Sequence, residues 1–311
     1  MARHLTLNST TSKAVGQSKL THDLRYDVYV GVDQTGAVHS SGSRKGLPKP
    51  LPTSLLVKNT LYTGLSLKTF NADEILALVA SVTSLEKPKV FVAVDAVLGL
   101  PEECAATFDL LLQKVIQFQA SRRKRNVALH GRDAAFEFFL QFLPMKLRTH
   151  LKAHGRAAPP FRLPERICEQ LANANSVFHR VPAQRNIGCG SYRILSDLAD
   201  GLGSGNRRKL CVWPHQALND AEITISEVYP SQMWKILGIS STRQEKNFFD
   251  YCSKNFELVD GLKMTPDHID AAVSAIGARH VIEKQNFFKT AANHDFGNEG
   301  WILGLAFNER A

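Results

Sequence analysis

The sequence lacks most of the signals that would settle a function at sight. No run approaches the 18 or more apolar residues of a membrane span, and the N-terminus has no apolar core of the secretory kind. The five cysteines (Cys104, Cys168, Cys189, Cys211, Cys252) form no CxxC and no closely spaced pair. That argues against a zinc site or a disulfide frame and suits reduced thiols in the cytoplasm. The eleven histidines include no H-E-x-x-H or zinc pair. "GLGSGN" (201–206) has neither the strand context nor the lysine of a Walker loop. "GCGSYR" (188–193) is not a G-x-S-x-G elbow, and Cys189 has no histidine at a telling spacing. Acids are missing from residues 1–22, which faintly resemble an organelle transit peptide; the simpler reading is a flexible tail over 1–25. No repeat is visible.

What is there is globular. The chain has 311 residues, 44% hydrophobic and 22% charged, enough for one large domain or two ordinary ones. Lys and Arg total 38 against 29 acids, and the resulting +9 favours anionic partners such as nucleic acid. Eleven of those basic residues, against three acids, fall between 121 and 166, so that segment holds nearly all the excess.

Read in order, "YDVYVGVD" (26–33) is a strand, a second short strand follows at 37–41, and "SLLVKNTLY" (54–62) is a third. Asn71 or Asp73 caps a helix to about 84, "KVFVAVD" (89–95) is a fourth strand, and Pro101 opens another helix. Residues 121–220 differ in character and read as a basic helical and loop insertion. Within it Phe136, Phe139, Leu140, Leu143, Leu147 and Leu151 lie on one face of a helical region with a kink expected at Pro144. The regular pattern returns with a strand at 221–230 and a helix at 231–237. A helix follows from "TPDHIDAAVSAIGARHVIE", then an edge strand at 299–306. The expectation is one α/β domain over 26–311, interrupted by the insertion.

The carboxylates carry the chemistry. Side chains alternate along a strand, so Tyr29, Gly31 and Asp33 share one face, and Phe91, Ala93 and Asp95 share another of the same design. If the two strands are parallel neighbours, both aspartates emerge together at their carboxyl ends, where ligand sites of open α/β sheets gather. Glu227 follows Ile223 and Ile225 on a third strand. Asp267 and Asp270, three apart, lie on one side of a helix above the small residues Ala271, Ser274, Gly277 and Ala278, which would let it lie close to a sheet. Converging acids repel unless a cation holds them, and Mg²⁺ or Mn²⁺ takes oxygen ligands of this kind. Asp267 is also explained by the helix dipole, since Thr265 and Pro266 precede it as cap and first residue. An Asp at a strand end is also a common turn former.

The segments "YVGVDQTGA", "VFVAVDAVLGLPE", "ITISEVYPSQMWKILG", "DHIDAAVSAIGAR" and "EGWILGL" together resemble the ribonuclease H-like superfamily. Within it they look most like the predicted RNase H-like nucleases of the domain of unknown function 429. The third and fourth also look like bacterial Holliday-junction resolvases, in Tyr229, Pro230, Lys235, Asp267, Asp270 and Ala271. The resemblance implies an RNase H-like mixed five-stranded sheet, three antiparallel strands and then two parallel ones, flanked by helices. It implies a two-metal site with Asp33, Asp95 and Asp270 as ligands, Asp267 beside them and Glu227 assisting. The catalytic set would then be Asp33, Asp95, Glu227 and Asp270. The chain departs from the family after Asp33, where "QTGAVHSSG" replaces a glycine-rich stretch containing tryptophan.

The expected function is a nuclease that hydrolyses DNA or RNA with Mg²⁺ or Mn²⁺. Arg122, Arg123, Lys124 and Arg125, with Lys235, would contact the nucleic acid. A basic run is also an ordinary solvated loop, and Lys235 also suits the C-terminus of its helix at Gly238. Junction resolvases act as dimers, so the resemblance admits a homodimer, although no sequence feature marks a dimer surface. One rival is a non-catalytic nucleic-acid-binding module. Another is an ATP-dependent phosphotransferase of the actin and sugar-kinase type, which needs a second phosphate loop that this chain does not show.

Overall fold

A computed structural model describes residues 25–34, 47–155, 160–178, 187–203, 209–218, 221–240, 245–260, 264–292 and 294–307. β1 (Val28–Val32) alternates valines with Tyr29 and Gly31, and every residue in it is buried. The expected strand at 37–41 lies outside the described residues. The stretch read as a single strand at 54–62 is instead the turn of a hairpin between β2 (Leu51–Val57) and β3 (Thr60–Leu67). Lys58 sits there in the left-handed region (φ 51°) and reverses the chain, a conformation that a lysine does not advertise.

The remaining strands are β4 (Val90–Val94), β5 (Leu210–Trp213), β6 (Ile223–Glu227) and β7 (Glu257–Asp260). They form a mixed sheet of order β5-β6-β4-β1-β2-β3-β7. β1, β2 and β3 are antiparallel in succession; β4 runs parallel to β1, β6 to β4, β5 to β6, and β7 to β3. The sheet therefore has seven strands among the described residues, not five. The two extra ones are four residues each, too short for alternation to mark them. Residues 299–306 form turns and extended chain rather than a strand, although the Leu303 amide donates to the Glu227 carbonyl (2.9 Å).

Among the described residues ten α-helices cover the two faces. The face of Val28, Val30, Val90, Val92 and Ile225 packs on α1 (Ala72–Val82), α2 (Phe108–Lys124), α3 (Arg132–Leu140), α4 (Met145–His154) and α6 (Ile187–Gly203). The face of Tyr29, Phe91 and Ala93 packs on α7 (Pro230–Ile236), α8 (Glu245–Asn255), α9 (Pro266–Arg279) and α10 (Phe287–Ala291). A short α5 (Ile167–Ala172) packs on Ile302 and Leu305. The described residues of 121–220 thus supply four helices and a sheet strand, and most of their buried apolar side chains share one core with β1, β4 and β6. No helix of the described residues is long and apolar enough to cross a membrane. All five cysteines are free thiols.

Candidate functional site

β1 and β4 are parallel neighbours in register, Gly31 opposite Ala93 and Val32 opposite Val94. The Asp95 amide donates to the Val32 carbonyl (2.9 Å) and the Asp33 amide to the Pro52 carbonyl (3.0 Å). Both aspartates therefore emerge side by side at the carboxyl ends of the strands.

α9 is brought to them by the absence of a side chain. A Cβ on Gly31 would lie 1.8 Å from the Ala271 carbonyl oxygen, so the backbones of β1 and α9 touch directly. The first turn of α9 is pinned from the other side. Thr265 caps it, His268 Nε2 meets the Leu65 carbonyl (3.1 Å), and the Ser54 hydroxyl donates to the His268 carbonyl (3.3 Å). These contacts hold Asp267 and Asp270 over the strand ends.

The result is a cluster of four aspartates from three elements. Asp33 is buried, 7% exposed, while Asp95, Asp267 and Asp270 are half-buried. Burial, then the negative charges of Asp95, Asp267 and Asp270, and a hydrogen bond to Asp95, push the Asp33 carboxyl up to about 10 from its ordinary 3.8. The shift favours the protonated form of Asp33, hydrogen-bonded to Asp95. Among the described residues no three His, Cys, Asp or Glu side chains stand ready to hold one metal ion together.

Glu227 is placed elsewhere. β6 pairs with β4 so that Glu227 lies opposite Val94, which puts it on the valine face of the sheet, away from Asp33 and Asp95. There Arg166, fully buried, grips it with two bonds: Nη1 to Oε2 at 2.8 Å and Nη2 to Oε1 at 2.5 Å. Arg166 also bonds Glu169 (3.0 Å) and the Glu299 carbonyl (3.1 Å). Glu299 in turn accepts from the amides of Glu102 (2.9 Å) and Ile167 (3.0 Å). Glu227 also accepts from the Leu98 amide at 3.2 Å. Its carboxylate is neutralised and occupied, a strand-tip fastening rather than a member of the aspartate cluster.

The basic residues also divide. Arg122 is buried, donates to the Ala128 carbonyl (2.5 Å), pairs with Glu137 and lies over the Phe118 ring at 5.4 Å. It holds α2 to the α3 region and does not face solvent. Arg123, Lys124 and Arg125 are exposed, with Arg125 reaching Glu137 at 3.4 Å. Lys235 is exposed in the last turn of α7.

Two features near the cluster are not apparent from the sequence. The Trp234 indole N–H donates to Asp270 Oδ1 at 3.1 Å. Gln34, next to Asp33, lies across α6 where a Cβ on Gly190 would strike its amide oxygen at 1.1 Å, and the Val97 amide donates to the Ser191 hydroxyl at 2.9 Å. Gly190 of "GCGSYR" thus serves packing of α6 against the end of β1, while Gly188 faces the Val177 carbonyl and the Phe139 ring. No spacing in the sequence marks either. The chain matches no family model, no curated protein and no solved structure.

Proposed function

We propose that the chain is a divalent-metal-dependent nuclease of the RNase H-like type, with Asp33, Asp95, Asp267 and Asp270 as its carboxylate site. The observation that carries this reading is the meeting of four aspartates from β1, β4 and α9 at the carboxyl ends of two adjacent parallel strands. Converging carboxylates repel unless a proton or a cation lies among them, and here burial and the neighbouring acids favour a proton on Asp33. A bound Mg²⁺ or Mn²⁺ would displace that proton and draw the carboxylates, three of which reach solvent, into a ligand shell. Such ions supply a nucleophile from water and charge stabilisation for the leaving oxygen of a phosphodiester.

The sheet supports the same reading. Its central strands β3-β2-β1-β4-β6 comprise three antiparallel strands followed by two parallel ones, the arrangement the resemblance implies. Glu227 has no part in this site. The exposed Arg123, Lys124 and Arg125 give the nucleic acid a phosphate-binding surface on the α2 end.

The test is Mn²⁺ titration by calorimetry on the wild type and Asp95→Asn, with fold matched by circular dichroism, alone and with DNA or RNA oligonucleotides. Saturable Mn²⁺ binding lost in the variant, with metal-dependent cleavage of one of the oligonucleotides, is the expected result. Nucleic-acid binding that ignores Mn²⁺ and survives Asp33→Asn would replace the nuclease reading by a non-catalytic binding module.

A further inference from the structure

At the amino end of β1, away from Asp33, the sheet carries a cavity of about 310 Å³, near the lower limit for ligand pockets. Tyr26 and Tyr29 form one wall, their rings edge to face at 5.9 Å, and Val57 and Leu85 add apolar surface. Leu85 is 37% exposed, a large apolar side chain left open to solvent.

Four charged residues line the same cavity, two of each sign: Asp27, Glu283, Lys58 and Arg279. They are not equally engaged. Glu283 is occupied, since its Oε1 accepts from the Tyr29 hydroxyl (3.1 Å) and its Oε2 from Arg279 Nε (3.1 Å). Burial, and then the charge of Glu283, push the Tyr29 phenol above its ordinary value, so it remains a donor. Arg279 Nη1 donates to the Lys58 carbonyl, which leaves Nη2 without a partner among the described residues. Asp27 accepts the Lys89 amide on Oδ2 (2.8 Å), which leaves Oδ1. The Lys58 ammonium makes no hydrogen bond or ion pair with any described residue. Cationic donors on Lys58 and Arg279 and one carboxylate oxygen on Asp27 therefore stay unused beside an apolar wall.

Two local conformations build this arrangement. Lys58 holds the left-handed position of the β2–β3 turn (φ 51°), where glycine or asparagine is the easier residue. α9 runs on into a single π-helical turn, His280–Lys284, which carries Glu283, and such turns recur at functional sites. A purely anionic ligand would be repelled by Asp27, and a purely cationic one by Lys58 and Arg279. A ligand that carries both charges meets neither penalty.

We propose that this cavity binds a small zwitterion of the amino-acid type. Its carboxylate meets Lys58 and Arg279, its ammonium meets Asp27, and an apolar side chain lies against Tyr29, Val57 and Leu85. The site stands apart from the aspartate cluster and does not rest on the nuclease reading.

The experiment is calorimetry on the full chain, with L-leucine and L-phenylalanine as probes. Each is compared with two analogues that lack one charge. Isopentylamine and phenethylamine have no carboxylate, and 4-methylpentanoate and 3-phenylpropanoate have no ammonium. At least one of the amino acids is expected to bind saturably, with its analogues at least about tenfold weaker, because each lacks a charge-assisted contact. Lys58→Asn removes the ammonium and suits the left-handed turn, so the fold is kept while binding of that amino acid falls about tenfold. Asp27→Asn should weaken the amino acid similarly and leave its ammonium-free analogue unaffected. Failure of both amino acids to bind the wild type at millimolar concentration overturns the proposal, as does binding that Lys58→Asn leaves unchanged. An analogue that binds as tightly as its parent amino acid also overturns it, and that comparison needs no variant.

Discussion

Replacing Asp33 with Asn should stabilise the metal-free protein, and by an amount that grows with pH. Asp33 keeps its proton in the folded state up to about pH 10, whereas the unfolded chain gives it up near the ordinary 3.8. Between those values unfolding releases a proton, so a rising pH erodes stability, at most by about 1.4 kcal/mol per pH unit. From pH 4 to pH 7 that is about three units, a ceiling of about 4 kcal/mol. Water entry and movement of the other aspartates reduce it, and about 2 kcal/mol is expected at neutral pH. An Asn amide can donate to Asp95 as the protonated Asp33 does, so the variant keeps the hydrogen bond and loses the titration. For a chain of this size the gain corresponds to about 4 °C in melting temperature. The assay is thermal unfolding of both proteins in chelator from pH 4.5 to pH 8. The difference should be small at pH 4.5 and largest at pH 8, and saturating Mn²⁺ should stabilise the wild type but not the variant. A difference that is flat across pH, or an Asn variant less stable throughout, would refute the account of Asp33 as the carrier of the cluster's repulsion.

Gly31→Ala places a methyl group 1.8 Å from the Ala271 carbonyl and must push α9 off the sheet. A loss of about 3 kcal/mol or more is expected in urea unfolding, with weakened Mn²⁺ binding in whatever remains folded. Glu227→Gln leaves the buried Arg166 short of one charge partner and should cost about 3 kcal/mol. Because Glu227 lies on the other face, Mn²⁺ affinity in that variant should stay within about twofold of wild type; a large loss would return Glu227 to the metal site. Arg123→Ala, Lys124→Ala and Arg125→Ala together should lower nucleic-acid affinity and flatten its dependence on salt by up to about three counterions, leaving calorimetric Mn²⁺ binding unchanged.

How much of this was legible in the sequence follows from what a one-dimensional pattern can encode. The repeat of aromatic, small residue and aspartate in β1 and β4 was readable because both strands are buried and strictly alternating. The cap at Thr265 and the small face of α9 were readable for the same kind of reason. Glu227 was misplaced because parity says which residues of one strand share a face, not which face of the sheet that strand presents. That is decided by register, here Glu227 opposite Val94, and by Arg166, 61 residues away. Helix α6 was hidden by its own glycines, which look like loop until Gly190 is seen against Gln34. Arg122 looked like part of a basic surface, since nothing in "SRRKRN" shows that its first arginine turns inward to Glu137.

The fastening around Arg166 also orders events in time. Its guanidinium is wholly enclosed, and its partners stand 3, 61 and 133 residues further along the chain. During synthesis the segment carrying Arg166 emerges with Glu169 beside it, but a charge seated there without Glu227 and the Glu299 carbonyl would lack most of its compensation. The segment therefore gains little by docking early, and the strand tips stay open until residue 299 has left the ribosome. Since Leu98 and Glu102 are tied into the same fastening, the loop that follows Asp95 settles last as well. A chain still being synthesised would carry its aspartates on a sheet whose rim has not yet closed.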